Sequence, residues 1–187
     1  EAQATRDAAV EASGHMRTIA VSLTKIANDI RWLGSGPRCG IGELKVPAVQ
    51  PGSSIMPGKV NPVICEAMMM LACQVMGNDA AVAAGGSGGI GSLLELNVAM
   101  PMMAASLLES VTLLANGLNV LNENLVAGLE ADEKRCADLI EGSLAMCTSL
   151  VPVIGYDASA KLAYEAYDSG RTIRELALEK QILSAEQ

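Results

Sequence analysis

The chain has 187 residues, half of them hydrophobic and 18% charged, with a formal net charge of −8. Phosphate binding needs a basic face and the sequence offers none, so nucleic acid is excluded as a partner. The five cysteines are scattered and odd in number, which favours reduced thiols in the cytoplasm over a metal or redox motif.

The first predicted element is a long helix. Glu1 opens into a helix-like sequence with no capping residue and no initiating Met, as though cut from a longer helix. Apolar residues then recur at spacings of three and four, which predicts a bundle seam made of Met16, Ile19, Leu23, Ile26, Ile30 and Leu33. Gly34 and Pro37 end this helix, and residues 38–50 are predicted to be a loop with at most a short extended piece at 44–46.

A second helix is predicted from Pro62 to Ala84, apolar nearly all round and therefore central in a bundle. A glycine-rich break at 85–91 precedes a third long helix, in which Pro101 marks a kink or the true beginning. Its apolar positions are Leu96, Met100, Met103, Leu107, Val111, Leu114, Leu118, Leu121 and Leu125. The longest runs without charge, among them residues 80–94, have 15 residues. This is shorter than the roughly 18 residues of a membrane span, so we expect a soluble protein without a membrane partner.

Shorter amphipathic segments follow Gly128, at about 132–141, 158–169 and 172–178. We therefore predict two domains, 1–128 and 129–187. The fold class expected from these patterns is all-α, a long-helix bundle followed by a smaller helical domain.

The loop between the first two long helices, GSSIMPGKVNP at 52–62, contains two glycines, two prolines and a single cation. Such a segment cannot continue a helix and leaves backbone N–H groups free to bind an anion. Lys59 and Asn61 lie two residues apart and can grip one carboxylate, and Ser53 or Ser54 can supply a hydroxyl. The alternative is a plain turn whose serines only cap helices.

Two phosphate-loop patterns fail on their context. Gly86, Gly88 and Gly91 match GxGxxG but follow an alanine-rich helix rather than a strand. The residues around Gly58 and Lys59 have one residue too many for a P-loop, and Val60 stands where Ser or Thr would hold magnesium. We therefore expect no nucleotide site at either position.

The string GSSIMPGKVNP resembles the signature of the fumarase and aspartase superfamily, and NDIRWLGSGPRCGIGE, QVMGNDAA, ELNV, AGLEADEKR and IGYDASAKLA resemble segments of class II fumarases. The resemblance covers essentially the whole chain. Arg31 with Trp32, Gly58, and Glu95 before Leu96 and Asn97 favour fumarase over aspartase. The resemblance implies reversible trans hydration of fumarate to (S)-malate in the tricarboxylic acid cycle, with no metal and no organic cofactor. Aspartate ammonia-lyase and a non-catalytic helical assembly module remain the alternatives.

The resemblance also implies roles for individual residues. Ser53 matches the catalytic base, and Ser54, Lys59, Val60 and Asn61 match substrate-binding positions. Glu66 matches a glutamate that orients a histidine from another subunit, although a first-turn glutamate can simply complement the helix dipole.

Other features of the family lie outside this sequence or differ in it. The family's catalytic histidine belongs to an earlier segment, and His15 matches no motif, so we predict that His15 is ordinary helix surface. The turn from Gly85 to Glu95 is about three residues longer than the usual version. The family's homotetramer combines residues of three chains in each active site, so we expect this segment alone to be inactive.

Overall fold

The computed structural model describes residues 3–182 and is an all-α fold, as the sequence predicted. The chain divides into two compact units between Glu130 and Ala131. In the first unit, three long helices pack side by side: α1 (Asp7–Leu33), α2 (Val63–Gly86) and α3 (Met100–Asn124). α2 packs against both α1 and α3. Its central place agrees with its nearly uniform apolar sequence.

Helix α1 begins later than the sequence indicated. The expectation for Glu1 lies outside the described residues, and Gln3–Thr5 form a turn. Arg6 then has a left-handed backbone, with φ of 59°, at the N-cap. A right-handed helix cannot pass through that conformation, so α1 starts at Asp7.

The predicted seam of α1 was correct for only some of its residues. Met16, Leu23 and Ile30 pack in the core, but the second row of the seam consists of Ser13, Ala20 and Ala27, seven residues apart. Ile19 and Ile26, predicted to be part of the seam, are 47% and 48% exposed. Small side chains let neighbouring helices approach closely, and a pattern search that counts only large apolar residues misses such a row.

Between α1 and α2 the chain is a loop apart from the short strand β1 (Leu44–Lys45), as predicted. Between α2 and α3 it forms a hairpin that the sequence did not indicate, with β2 (Ser92–Leu93) antiparallel to β3 (Leu96–Asn97). The Asn97 amide donates to Ala4 O and to Gly85 O, each at 2.8 Å, and its carbonyl accepts from Ala99 N–H at 2.8 Å. Asn97 thus fixes the turn that leads into α3.

Helix α3 starts one residue before Pro101, so this proline marks the beginning of the helix rather than a kink. Leu96 belongs to β3 and not to the helix. Along α3, Met103, Leu114 and Leu121 are buried as predicted. Val111 and Leu118 are exposed instead, because Ser110 takes the buried position beside Val111.

A polar cluster links the buried Asn78 and Ser110 to the exposed Gln74 and Glu109. Asn78 donates to Glu109 at 2.8 Å and to Ser110 at 3.2 Å, and accepts from Gln74 at 3.1 Å. Buried polar groups are tolerated when they are bonded in this way. These bonds connect α2 to α3 at one register.

The second unit has shorter helices. The α-helices are α4 (Glu133–Glu141), α5 (Val151–Ile154), α6 (Tyr156–Ser169) and α7 (Ile173–Glu179). A 3-10 helix, Leu144–Leu150, lies between α4 and α5. A shorter 3-10 helix, Val126–Gly128, and strand β4 (Glu130–Ala131) precede α4. Asp132 caps α4, and Thr172 and Glu175 form a reciprocal capping box on α7. A small core surrounds Leu150, Leu162 and Leu176. The sequence analysis anticipated α4, α6 and α7 but neither the 3-10 helix at Leu144–Leu150 nor α5.

Two segments, Val63–Gly86 and Met100–Gly128, are long and apolar enough to cross a membrane by length and composition. Neither segment forms a long uncharged run, because Glu66 and Asp79 interrupt the first and Glu109 and Glu123 interrupt the second. Only 33% and 22% of their most apolar windows are buried within the chain. Much of their apolar surface therefore faces outward.

Candidate active-site loop

The loop at 52–62 is closed at its neck by backbone pairing. Gly52 N–H donates to Lys59 O at 2.8 Å, and Pro51 forms an antiparallel bridge with Val60. The side-chain amide of Asn61 donates to Gly52 O at 3.1 Å. The two ends of the loop are therefore held against each other before the second helix begins.

The far side of the loop is a tight turn. Lys59 N–H donates to Met56 O at 3.3 Å, and Gly58 has φ of 78°. Pro57 followed by a glycine with positive φ is the arrangement of a type II turn. This turn places Lys59 at the beginning of the returning strand, with its side chain exposed.

Ser53 lies between the neck and the turn, and its hydroxyl oxygen is an acceptor for two backbone donors. Ile55 N–H lies 3.1 Å and Met56 N–H 3.2 Å from Ser53 Oγ. Two convergent N–H groups stabilise negative charge on an oxygen. The arrangement can therefore stabilise negative charge on Ser53 Oγ, and it is also the geometry of a turn capped by a serine hydroxyl. The sequence analysis did not predict roles for Gly52 or for the N–H groups of Ile55 and Met56. The glycine directly before Ser53 was the signal in the sequence that could have indicated a close backbone approach there.

The other candidate residues are arranged differently. Ser54 and Val60 are exposed, whereas Asn61 is half-buried and turned toward the loop neck. Glu66 lies in the first turn of α2, and its N–H donates to Pro62 O at 3.1 Å. Within residues 3–182 its carboxylate takes part in no hydrogen bond or ion pair. The structure thus brings Ser53, the Lys59 backbone and Asn61 together in the loop, whereas Glu66 belongs to the first turn of α2.

Cys65, next to Glu66, is fully buried. Burial raises the pKa of its thiol, and the guanidinium of Arg31 opposes that rise. Arg31 also donates to Asn28 Oδ1 and approaches Met69 Sδ, each at 3.4 Å. The first turn of α2 therefore has a half-buried cation near it.

His15 lies on the surface of α1, as predicted. Its ring is 3.9 Å from the Glu11 carboxylate, and both side chains are largely exposed. Among the described residues, no three histidine, cysteine or acidic side chains form a group that can hold a metal ion.

Comparison with known proteins gives the same family from several directions. Residues 1–77 match a family described as Lyase, and residues 146–187 match one described as Fumarase C C-terminus. The chain is 54% identical over its full length to fumarate hydratase 1, mitochondrial, of Arabidopsis thaliana, and 51% identical to fumarate hydratase class II of Ralstonia nicotianae. It spans 37% and 40% of the length of these relatives.

A solved structure agrees with the sequence matches. The recombinant class II fumarase from Schistosoma mansoni superimposes with a TM-score of 0.90 at 40% identity. The match covers 99% of this chain and 38% of that chain.

Proposed function

The chain belongs to the class II fumarases of the fumarase and aspartase superfamily, and we propose that the whole protein is a fumarate hydratase. The reaction is the reversible trans hydration of fumarate to (S)-malate in the tricarboxylic acid cycle. The observation that carries the proposal is the pair of N–H donors on Ser53 Oγ, which prepares a serine oxygen to act as a base.

In the dehydration direction, Ser53 takes a proton from the malate carbon next to a carboxylate. The electron pair of that C–H bond moves into the carboxylate, which becomes an aci-carboxylate. Positive charge and N–H donors near this group lower the energy of the transition state. The electron pair held in the aci-carboxylate then returns to form the carbon–carbon double bond. The C–O bond breaks with its own pair on oxygen, and the hydroxyl gains a proton and leaves as water.

Lys59 is the only cation of the loop, and we assign to it the neutralisation of a substrate carboxylate. Ser54 and the Val60 backbone supply further contacts, and Asn61 retains a second amide hydrogen for hydrogen bonding. In this proposal Glu66 orients a histidine from another subunit, which with a water handles the hydroxyl. His15 lies two residues before Arg17, which pairs with Asp79 far along α2 from Glu66, so His15 is not that histidine within its own chain.

We also propose a homotetramer assembled through the long helices. Ile19 and Ile26 on α1 and Val111 and Leu118 on α3 expose large apolar surface. Apolar faces of this kind mark interaction sites, and we assign these faces to contacts between sibling subunits. Size-exclusion chromatography with light scattering measures the oligomeric state directly.

The proposed location is the cytoplasm. No disulfide joins the five cysteines, all of which are described. Because the Arabidopsis relative is named mitochondrial, fractionation of cells that express the full-length protein is the appropriate test.

The activity is tested by following fumarate absorbance with the full-length protein in buffer without ammonium. Ser53→Ala is compared with wild type and with Ser169→Ala, an exposed serine at the end of α6 that serves as the matched control. We expect fumarate loss and malate formation with wild type and Ser169→Ala only. Fumarate loss that requires ammonium would indicate an aspartate ammonia-lyase instead, and no loss in either buffer would favour a helical assembly module.

A further inference from the structure

The neck of the candidate loop is closed by Asn61 as well as by backbone pairing. We propose that Asn61 is a positioning residue for the reaction: its amide holds Gly52 and thereby keeps Ser53 on its two N–H donors. This inference rests on the proposed function. It gives Asn61 a task that does not depend on contact with substrate.

The first support is the direction of the Asn61 side chain. It is half-buried, and its amide nitrogen donates to Gly52 O at 3.1 Å, across nine residues of sequence. Gly52 N–H in turn donates to Lys59 O at 2.8 Å. Both backbone polar groups of Gly52 are therefore hydrogen-bonded across the neck, the N–H to Lys59 and the carbonyl to Asn61.

The second support is the close approach at Gly52. A Cβ atom at this position would lie 2.8 Å from Asn61 N, 2.9 Å from Lys59 O and 3.0 Å from Asn61 Oδ1. Side chains do not fit at such distances from backbone atoms, so any residue larger than glycine must push the two strands apart. The chain thus keeps glycine where the neck is narrowest.

The third support is that Ser53 directly follows Gly52. A shift of Gly52 moves Ser53 Oγ relative to Ile55 N–H and Met56 N–H, which lie on the side of the loop fixed by the Met56–Lys59 turn. A displacement of about 1 Å at a reacting group is enough to lower a rate about a hundredfold. The neck and the turn together therefore determine where the serine oxygen lies.

Two substitutions that change no charge, made in the full-length protein, test whether Asn61 positions Ser53. Asn61→Ala removes the amide, whereas Gly52→Ala keeps the amide and forces the neck apart. We expect each to lower kcat about ten- to a hundredfold, and the double variant to lower kcat no further than either single variant. KM should change less than about twofold in Gly52→Ala, whereas Asn61→Ala also loses its substrate hydrogen bond and should raise KM. Gln50→Ala, an exposed residue just before the loop, serves as the control that leaves both constants unchanged.

Hydrogen exchange of residues 52–59 without substrate gives a readout that does not depend on activity. We expect faster exchange in both variants than in wild type or Gln50→Ala. Unchanged exchange in Asn61→Ala, together with a higher KM and a normal kcat, would overturn the inference and make Asn61 a substrate ligand only. Because exchange needs no fumarate, this outcome is distinct from failure of the proposed function, in which wild type itself hydrates nothing.

Discussion

Arg17 Nη1 lies 2.9 Å from Asp79 Oδ2, and this ion pair joins α1 to α2 with the carboxylate side chain only 6% exposed. Arg17 itself is partly open to solvent. Removal of the arginine leaves a buried negative charge without its partner. We predict that Arg17→Met lowers the free energy of unfolding by about 1–3 kcal/mol.

Thermal or urea denaturation of the full-length protein measures this loss. Lys25→Met is the matched control, because Lys25 on the same helix pairs with Asp29 at the surface. An exposed pair of this kind contributes less than about 1 kcal/mol. Equal losses for the two variants would show that burial of Asp79 does not determine the effect, whereas addition of Asp79→Asn to Arg17→Met should recover part of the stability.

Lys59 gives a prediction about substrate charge. Lys59→Met removes a charge-assisted contact of about 1.5–3 kcal/mol, so kcat/KM should fall about 10- to 150-fold. Wild-type kcat/KM should also decline as salt is added, and the variant should show a weaker dependence. Steady-state rates at several salt concentrations measure both effects. Lys161→Met, an exposed lysine of α6, should behave as wild type.

Cys65 gives a prediction about pH. Burial raises the pKa of its thiol above the ordinary value of 9.0, so the folded state holds this proton more tightly than the unfolded state. Its contribution to stability is therefore complete below pH 9 and is lost as pH rises from there through the higher folded pKa. We expect urea midpoints to fall more steeply above pH 9 in wild type than in Cys65→Ala.

The exposed Cys39 provides the comparison for that experiment, since Cys39→Ala should keep the wild-type slope. Alkylation offers a second measurement. Cys39 should react with iodoacetamide in the folded protein, whereas Cys65 should react only after unfolding. Rapid alkylation of Cys65 in the folded protein would contradict its burial.

Two glycines of the turn after α2 should differ in how much stability the protein loses when each is replaced by alanine. A Cβ atom at Gly91 would collide with the backbone of Gly85, whereas one at Gly88 would meet nothing within 4 Å. We predict that Gly91→Ala costs about 1–3 kcal/mol and that Gly88→Ala is close to neutral. Melting temperatures of the two variants give the comparison, and a stable Gly91→Ala protein would show that the hairpin can shift without cost.

Much of the fold was accessible from local pattern. Pro62, Pro101 and the glycines after Leu33 and Ala84 gave the long helices to within a few residues, except at the start of α1. The seam on Ser13, Ala20 and Ala27 was missed because the close approach of helices selects small side chains, which a hydrophobic pattern does not report. The β2–β3 hairpin was missed because it depends on Asn97, whose partners Ala4 and Gly85 are distant in sequence.

The candidate loop was located by its motif, but its internal geometry was not. Proline and glycine at 57 and 58 are a recognisable turn signal. In contrast, the hydrogen bond from Asn61 to Gly52 joins residues nine positions apart. No rule of spacing reveals which way an amide turns when both a substrate and a backbone carbonyl can accept from it.

Ile26 and Ala27 are neighbours on α1, yet the Ile26 side chain is half exposed and the Ala27 side chain is buried. In the proposed assembly, a polar residue at position 27 disrupts the bundle of a single chain at any dilution. The same change at position 26 alters an equilibrium between copies, so its severity depends on protein concentration. A dilution series therefore distinguishes the two adjacent substitutions. The change at position 27 impairs folding at every concentration, whereas the change at position 26 impairs association and is most severe at low concentration.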